Sequence, residues 1–234
     1  MRRSRVQTRQ LILDAAYGLF CDLGYNATTM DAVAKQAGVA VQTVYFTFHT
    51  KDALLQEVQD RAVIGDDRVP PPDQPWFAEA IAAPDGVRAL AAVIGGVADI
   101  HARVAPLVPV FHAVAGEPAG GTWRRAEALR REGFAQLLDL MVAKTPLRQD
   151  LGHDHALDLL FVVLGTELYK SLVIDCGWSP AAWSTWVLAS LSRDLFGQEP
   201  AARPLTKRAT KRATKGPTKG RTKRPTNESA RRSR

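Results

Sequence analysis

The sequence predicts an all-α fold, and three observations support that prediction. The chain has 234 residues, 46% hydrophobic and 24% charged, as is typical of a globular domain. Apolar residues recur every three or four positions, as on the buried faces of amphipathic helices. Alternating β-branched runs and Asn-Gly turns, which mark strands and hairpins, are missing from the sequence.

The first two predicted helices are separated by turn residues. Apolar residues at helical spacing predict one helix over about 7–23, and Gly24 can end it. Thr28 and Thr29 offer an N-cap to a short second helix. Gly38 can then adopt a positive φ and turn the chain sharply.

A third short helix is predicted over about 41–48, with Val44 and Phe48 facing inward. Thr50 can cap a fourth helix after it. Two short helices joined through a glycine turn and braced by a longer one form a helix-turn-helix. In such a unit the exposed residues of the second short helix can reach base edges in a major groove.

The rest of the chain divides into a linker, a helical region and a tail. Prolines over 66–75 are incompatible with a helix, whereas 76–197 is rich in Ala, Leu and Val and predicted helical. Two helices, at about 156–174 and 180–196, are apolar on more than one side. Such helices need a second partner, so we expect a homodimer in which they form a four-helix packing.

The tail, 201–234, carries a net charge of +12, while the remaining 200 residues carry −5. Thr-Lys pairs recur in it every four residues, and its Gly and Pro residues oppose a continuous helix. We therefore expect this segment to be disordered and to interact with polyanions, usually nucleic acid.

The sequence lacks the motifs of common enzymes. It has no nucleophile elbow, no Gly-rich phosphate loop and no His-Glu-x-x-His, so we expect no catalytic residues and no cofactor. His153, Asp154 and His155 are adjacent on a helix, share no face and have no Cys/His partner set. We therefore expect no metal site.

Two cysteines, Cys21 and Cys176, are too few for a disulfide framework and predict reduced thiols in the cytoplasm. The sequence shows no apolar run of eighteen residues and no signal-peptide h-region after its basic N-terminus. We therefore expect neither a membrane span nor export.

A longer motif lies in the predicted helix-turn-helix. It reads GYNATTM at 24–30, VAKQAGV at 33–39, TVY at 43–45, then Phe48 and KDALL at 51–55. This segment resembles the N-terminal domain of TetR-family transcriptional regulators over about 5–65 without a gap. A weaker resemblance covers the C-terminal region, at 167–169, 177–180, Trp183 and Trp186.

The resemblance implies an all-helical homodimer of about nine helices per chain. Residues 5–65 would bind a palindromic operator, and 76–197 would hold a small-molecule pocket and the dimer interface. The implied function is a ligand-responsive transcriptional regulator, in most cases a repressor. The alternative that the charge pattern leaves open is an architectural DNA-coating protein whose affinity comes mainly from 201–234.

The resemblance also implies the DNA contacts. It places Gln42 and Thr43 at the base edges, and a Gln side chain can read adenine through two hydrogen bonds. The residues implied at phosphates are Thr28 or Thr29, Tyr45, Thr47 and Lys51. Thr47 is shorter than the family's usual His or Tyr, and Ala40 replaces its usual N-cap residue.

Candidate ligand contacts are polar residues in otherwise apolar segments. His101 continues the apolar stripe of a predicted helix, His112 lies in a Pro-interrupted segment, and Glu167 lies in an apolar helix. Each is equally compatible with a satisfied core position or with the partner subunit. The aromatic residues that could form the walls of this cavity are Phe111, Trp123 and Phe161.

Overall fold

The computed structural model describes residues 4–65, 67–116 and 120–198, and within them the chain is α-helical with no β-strand. The predicted all-α class is confirmed, although the described helices outnumber the nine expected. They are α1 (Arg5–Ala27), α2 (Met30–Ala37), α3 (Val41–Phe48), α4 (Lys51–Ile64), α5 (Pro75–Ala82), α6 (Gly86–Val104), α7 (Val108–Ala113), α8 (Gly120–Val142), α9 (His153–Val163), α10 (Thr166–Tyr169) and α11 (Pro180–Phe196). The predicted basic tail, 201–234, lies outside the described residues.

Local capping explains where the first four helices begin and turn. A reciprocal capping box between Ser4 and Gln7 starts α1, which is interrupted at Gly24, where φ is +78°. Gly38 adopts the left-handed conformation at φ +64° and ends α2. Thr50 accepts a hydrogen bond from the Ala53 amide (3.1 Å) at the start of α4.

The proline-rich linker contains more regular structure than predicted. A three-residue 3₁₀ turn covers Pro71–Asp73, and α5 starts at Pro75. Proline is compatible with both because the first turn of a helix needs no internal amide donor and the fixed φ of the ring is helical.

The predicted single helix over 156–174 is wrong, because Gly165 breaks it. Gly165 has an extended backbone between α9 and α10, and a Cβ there would lie 2.9 Å from the carbonyl oxygen of Val162. After α10, residues Lys170–Asp175 form a π-helical turn. The break turns the chain so that Leu164 and Thr166 are both buried.

The buried side chains form two clusters. The first joins α1–α4 to the end of α6 and to α7, where Val104, Phe111 and Val114 pack with it. The second joins α5, α6 and α8–α11 around Trp183. Because α6 contributes to both clusters, it connects the N-terminal helices to the rest of the molecule.

One helical stretch, Gly86–Ala113, is long and apolar enough to cross a membrane by length and composition. From the sequence we expected no apolar run long enough for a membrane span. Half of its most apolar window is buried inside the protein, and α6 supplies residues to both buried clusters. Packing in the interior accounts for its apolar composition.

Candidate DNA-binding surface and internal cavity

Helix α3 packs through one face and exposes the other. Val44 and Phe48 are buried against α1, α2 and α4, as the spacing predicts. Gln42 is exposed, and Tyr45 retains 48% of its surface, so both side chains point away from the buried cluster. Thr43 is half-buried. The outer face of α3 therefore presents a polar amide and an aromatic hydroxyl side by side.

Phe46 is the functional candidate that the sequence analysis missed. It lies on the outer face of α3 and is 82% exposed, the most exposed of the large apolar side chains described. Helical spacing contained the signal, because Phe46 is two residues, or about 200°, from both inward residues Val44 and Phe48. An exposed aromatic ring can contact the methyl group of thymine in a major groove.

The two threonines before α2 have different roles. Thr28 is fully buried, and its hydroxyl donates to the carbonyl oxygens of Leu19 (3.0 Å) and Gly24 (2.8 Å). It therefore cannot reach a phosphate, which corrects the first of the two alternatives. Thr29 is the N-cap of α2, accepting from the Ala32 amide (3.1 Å), and is exposed.

Two further predicted phosphate contacts have hydrogen-bond partners within the protein. The Thr47 hydroxyl donates to the Thr43 carbonyl oxygen one turn earlier (2.7 Å). The Lys51 ammonium donates to the backbone carbonyl oxygen of Tyr25 (2.8 Å) and lies 4.1 Å from the centre of the Tyr25 aromatic ring. An ammonium has three donors, so this contact holds Lys51 at the end of α1 and leaves donors for another acceptor.

A hydrogen-bonded joint links the N-terminal helices to α6. Arg103 donates from Nε to the Ala62 carbonyl oxygen (2.8 Å) and from Nη2 to that of Val63 (3.3 Å), at the end of α4. The Tyr17 hydroxyl of α1 donates to the Arg103 carbonyl oxygen (2.9 Å). Burial raises the pKa of Tyr17 to about 12, so this donor stays protonated. Movement of α6 is thereby coupled to α1 and α4.

A cavity of about 730 Å³ lies beside this joint. Its size is in the range of sites for small organic molecules. Residues of α1 and α4 form one side, and residues of α5, α6 and α8 form the others. Its apolar wall includes Leu13, Trp76, Phe77, Val97, Ile100, Val104, Trp123, Phe134 and Leu137.

His101 borders this cavity but is itself a satisfied interior residue. Its Nε2 hydrogen bonds to the Leu164 carbonyl oxygen (2.8 Å), and the Thr166 hydroxyl bonds to its Nδ1 (3.0 Å). Complete burial lowers the pKa of His101 to about 4, so the ring is neutral at physiological pH. One N–H donor and one ring acceptor then match both partners.

Of the other predicted ligand contacts, Trp123 also lines this cavity. Phe111 is not among the lining residues; it is fully buried and stacks on Trp123 with ring centres 5.0 Å apart. His112 and Glu167 are exposed and bond to each other (2.7 Å). The Phe161 ring lies 3.8 Å from the Arg130 guanidinium carbon. None of these four residues lines the cavity, so their role as ligand contacts stays a prediction.

The His-Asp-His sequence near α9 has a local partner. The His153 ring hydrogen bonds to the Asp139 carboxylate of α8 (2.8 Å). Within the residues that the structure describes, no three His, Cys, Asp or Glu side chains come together as a metal site. This histidine therefore links two helices.

The surface predicted to form the dimer interface exposes apolar side chains. Val162 of α9 is 64% exposed, and Ile174 of the π-helical turn is about half exposed. Trp178 and Trp186 are half-buried and pack edge to face, with ring centres 6.2 Å apart. Val162 and Ile174 therefore present exposed apolar side chains on this surface.

Comparison with known proteins places the N-terminal helices in a family. Residues 12–58 match the family described as bacterial regulatory proteins, tetR family. Over 53 residues, the chain is 45% identical to the uncharacterized HTH-type transcriptional regulator YhgD of Bacillus subtilis. That match covers 23% of this chain and 28% of YhgD, so the detailed similarity is confined to the helix-turn-helix region. The matched relatives named here and below are regulators, not enzymes.

Solved structures show the same fold over most of the chain. The fatty acid degradation regulator FadR from Bacillus halodurans aligns with a TM-score of 0.63, at 20% identity, over 82% of this chain and 96% of its own. NalD, a secondary repressor of the MexAB-OprM multidrug efflux pump in Pseudomonas aeruginosa, aligns with a TM-score of 0.60, at 17% identity, over 81% and 96%. Residues 12–58 therefore match the N-terminal domain of the tetR family of bacterial regulatory proteins, and most of the chain shares the all-helical fold of these solved regulators.

Proposed function

We propose that this protein is a sequence-specific, ligand-responsive transcriptional repressor that binds a palindromic DNA operator as a homodimer in the cytoplasm. The single observation that carries the proposal is the outer face of α3. It projects Gln42, Tyr45 and Phe46 from a helix whose opposite face is buried. The family match covers this helix, and NalD, which has a similar fold, is named as a repressor.

The proposal divides the chain by role. Residues 5–65 bind DNA, and 76–197 bind the effector and form the dimer. Two copies of α3 must lie about 34–36 Å apart to enter successive major grooves on one side of DNA. A twofold axis through the apolar surface around Val162 and Ile174 supplies the symmetry that a palindrome requires.

Within the DNA-binding unit, base edges and phosphates are contacted by different residues. Gln42 and Thr43 read bases, and Phe46 packs against thymine methyl groups. Thr29 and Tyr45 contact phosphates, and Lys51 supplies a further polar contact there. The Thr47 hydroxyl joins them by exchanging its bond to the Thr43 carbonyl oxygen for one to a phosphate. The exposed hydroxyl of Thr29 at the start of α2 supports its role, because a helix N-terminus favours an anion.

Effector control follows from the position of the cavity. A molecule there contacts α4 directly and α6, which is joined to α1 and α4 by Arg103 and Tyr17. An effector that binds more tightly when the two α3 helices are wrongly spaced shifts the population away from the DNA-binding state. Affinity for the operator then falls with no change in the α3 surface.

The basic tail favours a second candidate, an architectural DNA-coating protein. Its net charge of +12, against −5 for the rest of the chain, is enough to produce sequence-independent DNA affinity. The two functions differ in whether binding depends on base sequence.

Selection of binding sites from random duplexes tests the proposal. The full chain should enrich a palindrome with two half-sites. Gln42→Ala should lose about 1–3 kcal/mol of affinity for that site and relax the preference at one position in each half-site. Gln149→Ala, at an exposed glutamine beyond α8, is the matched control and should select the original palindrome. Failure to enrich any sequence would favour the coating protein.

A further inference from the structure

The cavity is shared between the DNA-binding unit and the rest of the chain. Leu13 of α1 and Gln59 of α4 lie on one side, and Ile100 of α6 and Phe134 of α8 lie on the others. A bound molecule would therefore touch α4 directly. Helix α4 starts three residues after α3 ends, which makes it the nearest cavity element to the proposed DNA-reading helix.

The charged residues around the cavity largely neutralise one another. Arg9 pairs with Glu57 (2.5 Å), Arg130 with Glu127 (2.6 Å) and Arg61 with Asp14 (2.7 Å). The lining also includes two further residues of each sign, Arg68, Arg125, Asp60 and Glu132, and both arginines act on Asp60. The interior wall is formed by the aliphatic and aromatic side chains named above. A charged molecule would gain no unpaired counter-ion from these pairs and would lose its hydration, so the cavity favours a neutral, largely apolar occupant.

Gln59 is the exception in this wall. It is 2% exposed, and its Oε1 atom is buried without a hydrogen-bond partner. The other buried polar residues of the cavity, His101 and Thr166, bond to each other, and His101 also bonds to Leu164. A buried carbonyl oxygen without a donor is costly, and such atoms in folded proteins normally meet one from protein, water or ligand.

We propose that the cavity binds a neutral amphipathic molecule with an apolar body and a hydrogen-bond donor, such as a hydroxyl or N–H, that bonds to Gln59 Oε1. That this cavity regulates DNA binding rests on the function proposed above. That it binds a molecule of this kind rests only on the cavity and on Gln59. The ligand's apolar body would fill the space among Trp76, Trp123 and Phe134, and its donor would bond to α4.

The test uses N-phenyl-1-naphthylamine, a neutral aromatic probe with one N–H donor, and its N-methyl derivative, which has none. Both are titrated into the full chain, with energy transfer from Trp76 and Trp123 reporting binding. We expect the N–H probe to bind about three- to tenfold more tightly than the methylated one, since one hydrogen bond contributes about that factor.

Gln59→Met keeps the side-chain length and removes the acceptor. We expect it to bring the two probes to nearly equal affinity, while Gln149→Met, at an exposed position outside the cavity, preserves the preference. Far-UV circular dichroism and thermal melting of both variants confirm that they are folded. Comparing the ratio of affinities, rather than either affinity alone, removes the steric effect of the added methyl group.

Two results would overturn the proposal. An unchanged preference in folded Gln59→Met would show that Gln59 is not the acceptor. No saturable energy transfer up to the solubility limit of the probe would show that the cavity does not take a neutral amphiphile. Because the titration contains no DNA, either result leaves sequence-specific DNA binding intact, whereas a failed site selection would defeat the proposed function and leave the titration unchanged.

Discussion

At the start of α3, Ala40 provides no side-chain acceptor for the free amides of the first helical turn. The sequence analysis predicted this missing cap, and the structure confirms it. Ala40→Ser should place a hydroxyl within reach of these amides and raise the free energy of unfolding by about 0.5–1 kcal/mol. Urea denaturation followed by circular dichroism measures the change.

A control at the next helix N-terminus calibrates this effect. Thr29 already caps α2, so Thr29→Ala should lower the free energy of unfolding by about 1 kcal/mol. If Ala40→Ser left stability unchanged while Thr29→Ala reduced it, another group would already satisfy the amides of α3.

The buried His101 makes stability depend on pH. Its folded pKa of about 4 lies below the usual 6.5, so below pH 6.5 the unfolded chain binds a proton that the folded chain does not. The free energy of unfolding should therefore fall as the pH is lowered from 6.5 to 4, by about 3 kcal/mol from this group. Denaturation curves across that interval measure the loss.

His101→Gln retains a donor and an acceptor for Leu164 and Thr166 but does not titrate. The difference between the wild-type and variant curves isolates the histidine from the carboxylates that titrate nearby. Curves that run parallel from pH 7 to 4 would contradict a neutral, buried His101.

For single residues, the sequence predicts some side-chain environments and not others. Helical spacing alone places Phe46 opposite the buried face of α3. It cannot choose between Thr28 and Thr29, because the choice depends on the positive φ of Gly24, which brings the Gly24 carbonyl oxygen to Thr28. It also cannot identify the unpaired Gln59, because that depends on what neighbouring helices fail to supply.

Capping residues predict well where helices begin and end. They do not show where packing interrupts a helix. The predicted third helix coincides with α3, and the cap predicted at Thr50 starts α4. The break at Gly165 was missed, because the apolar pattern continues through it and a single glycine is tolerated within many helices. Only the close approach of the Val162 carbonyl oxygen shows that this glycine is required.

The break defines which residues of α9 face outward. Ala156, Leu160 and Leu164 are buried within the chain, whereas Val162 is exposed. Val162→Glu should therefore leave the monomer's interior intact and place an unpaired charge in the proposed dimer interface. Sedimentation should show a monomer with native helicity.

The matched control is Val6→Glu, at an exposed valine of α1. It should leave the dimer intact. A dimeric Val162→Glu protein would show that the interface lies elsewhere on the chain.

For the whole molecule, the arrangement of the two units was only partly predictable. Composition separates 5–65, 76–197 and 201–234, but it does not show that α6 joins both buried clusters or that the cavity lies against α4. Those features come from contacts between residues far apart in sequence, such as Tyr17 with Arg103. The candidate ligand residues were chosen from local pattern, and four of six consequently fall outside the cavity.

In the proposed function, the α3 surface, rather than the basic tail 201–234, reads DNA sequence. The Lys- and Thr-rich segment 201–234 should pair with phosphates and increase the slope of log affinity against log salt by about 0.9 for each phosphate neutralised. Because phosphate contacts carry no sequence information, this charge should strengthen binding to all duplexes alike. Removing 201–234 should therefore flatten the slope by several units.

The most direct measurement is the ratio of affinities for the selected palindrome and a scrambled duplex, determined in salt titrations of the full chain and of a chain ending at Pro200. We expect weaker binding to both duplexes after truncation, with an affinity ratio that is unchanged or higher. If the preference for the palindrome disappeared on truncation, DNA recognition would belong to 201–234 and not to α3.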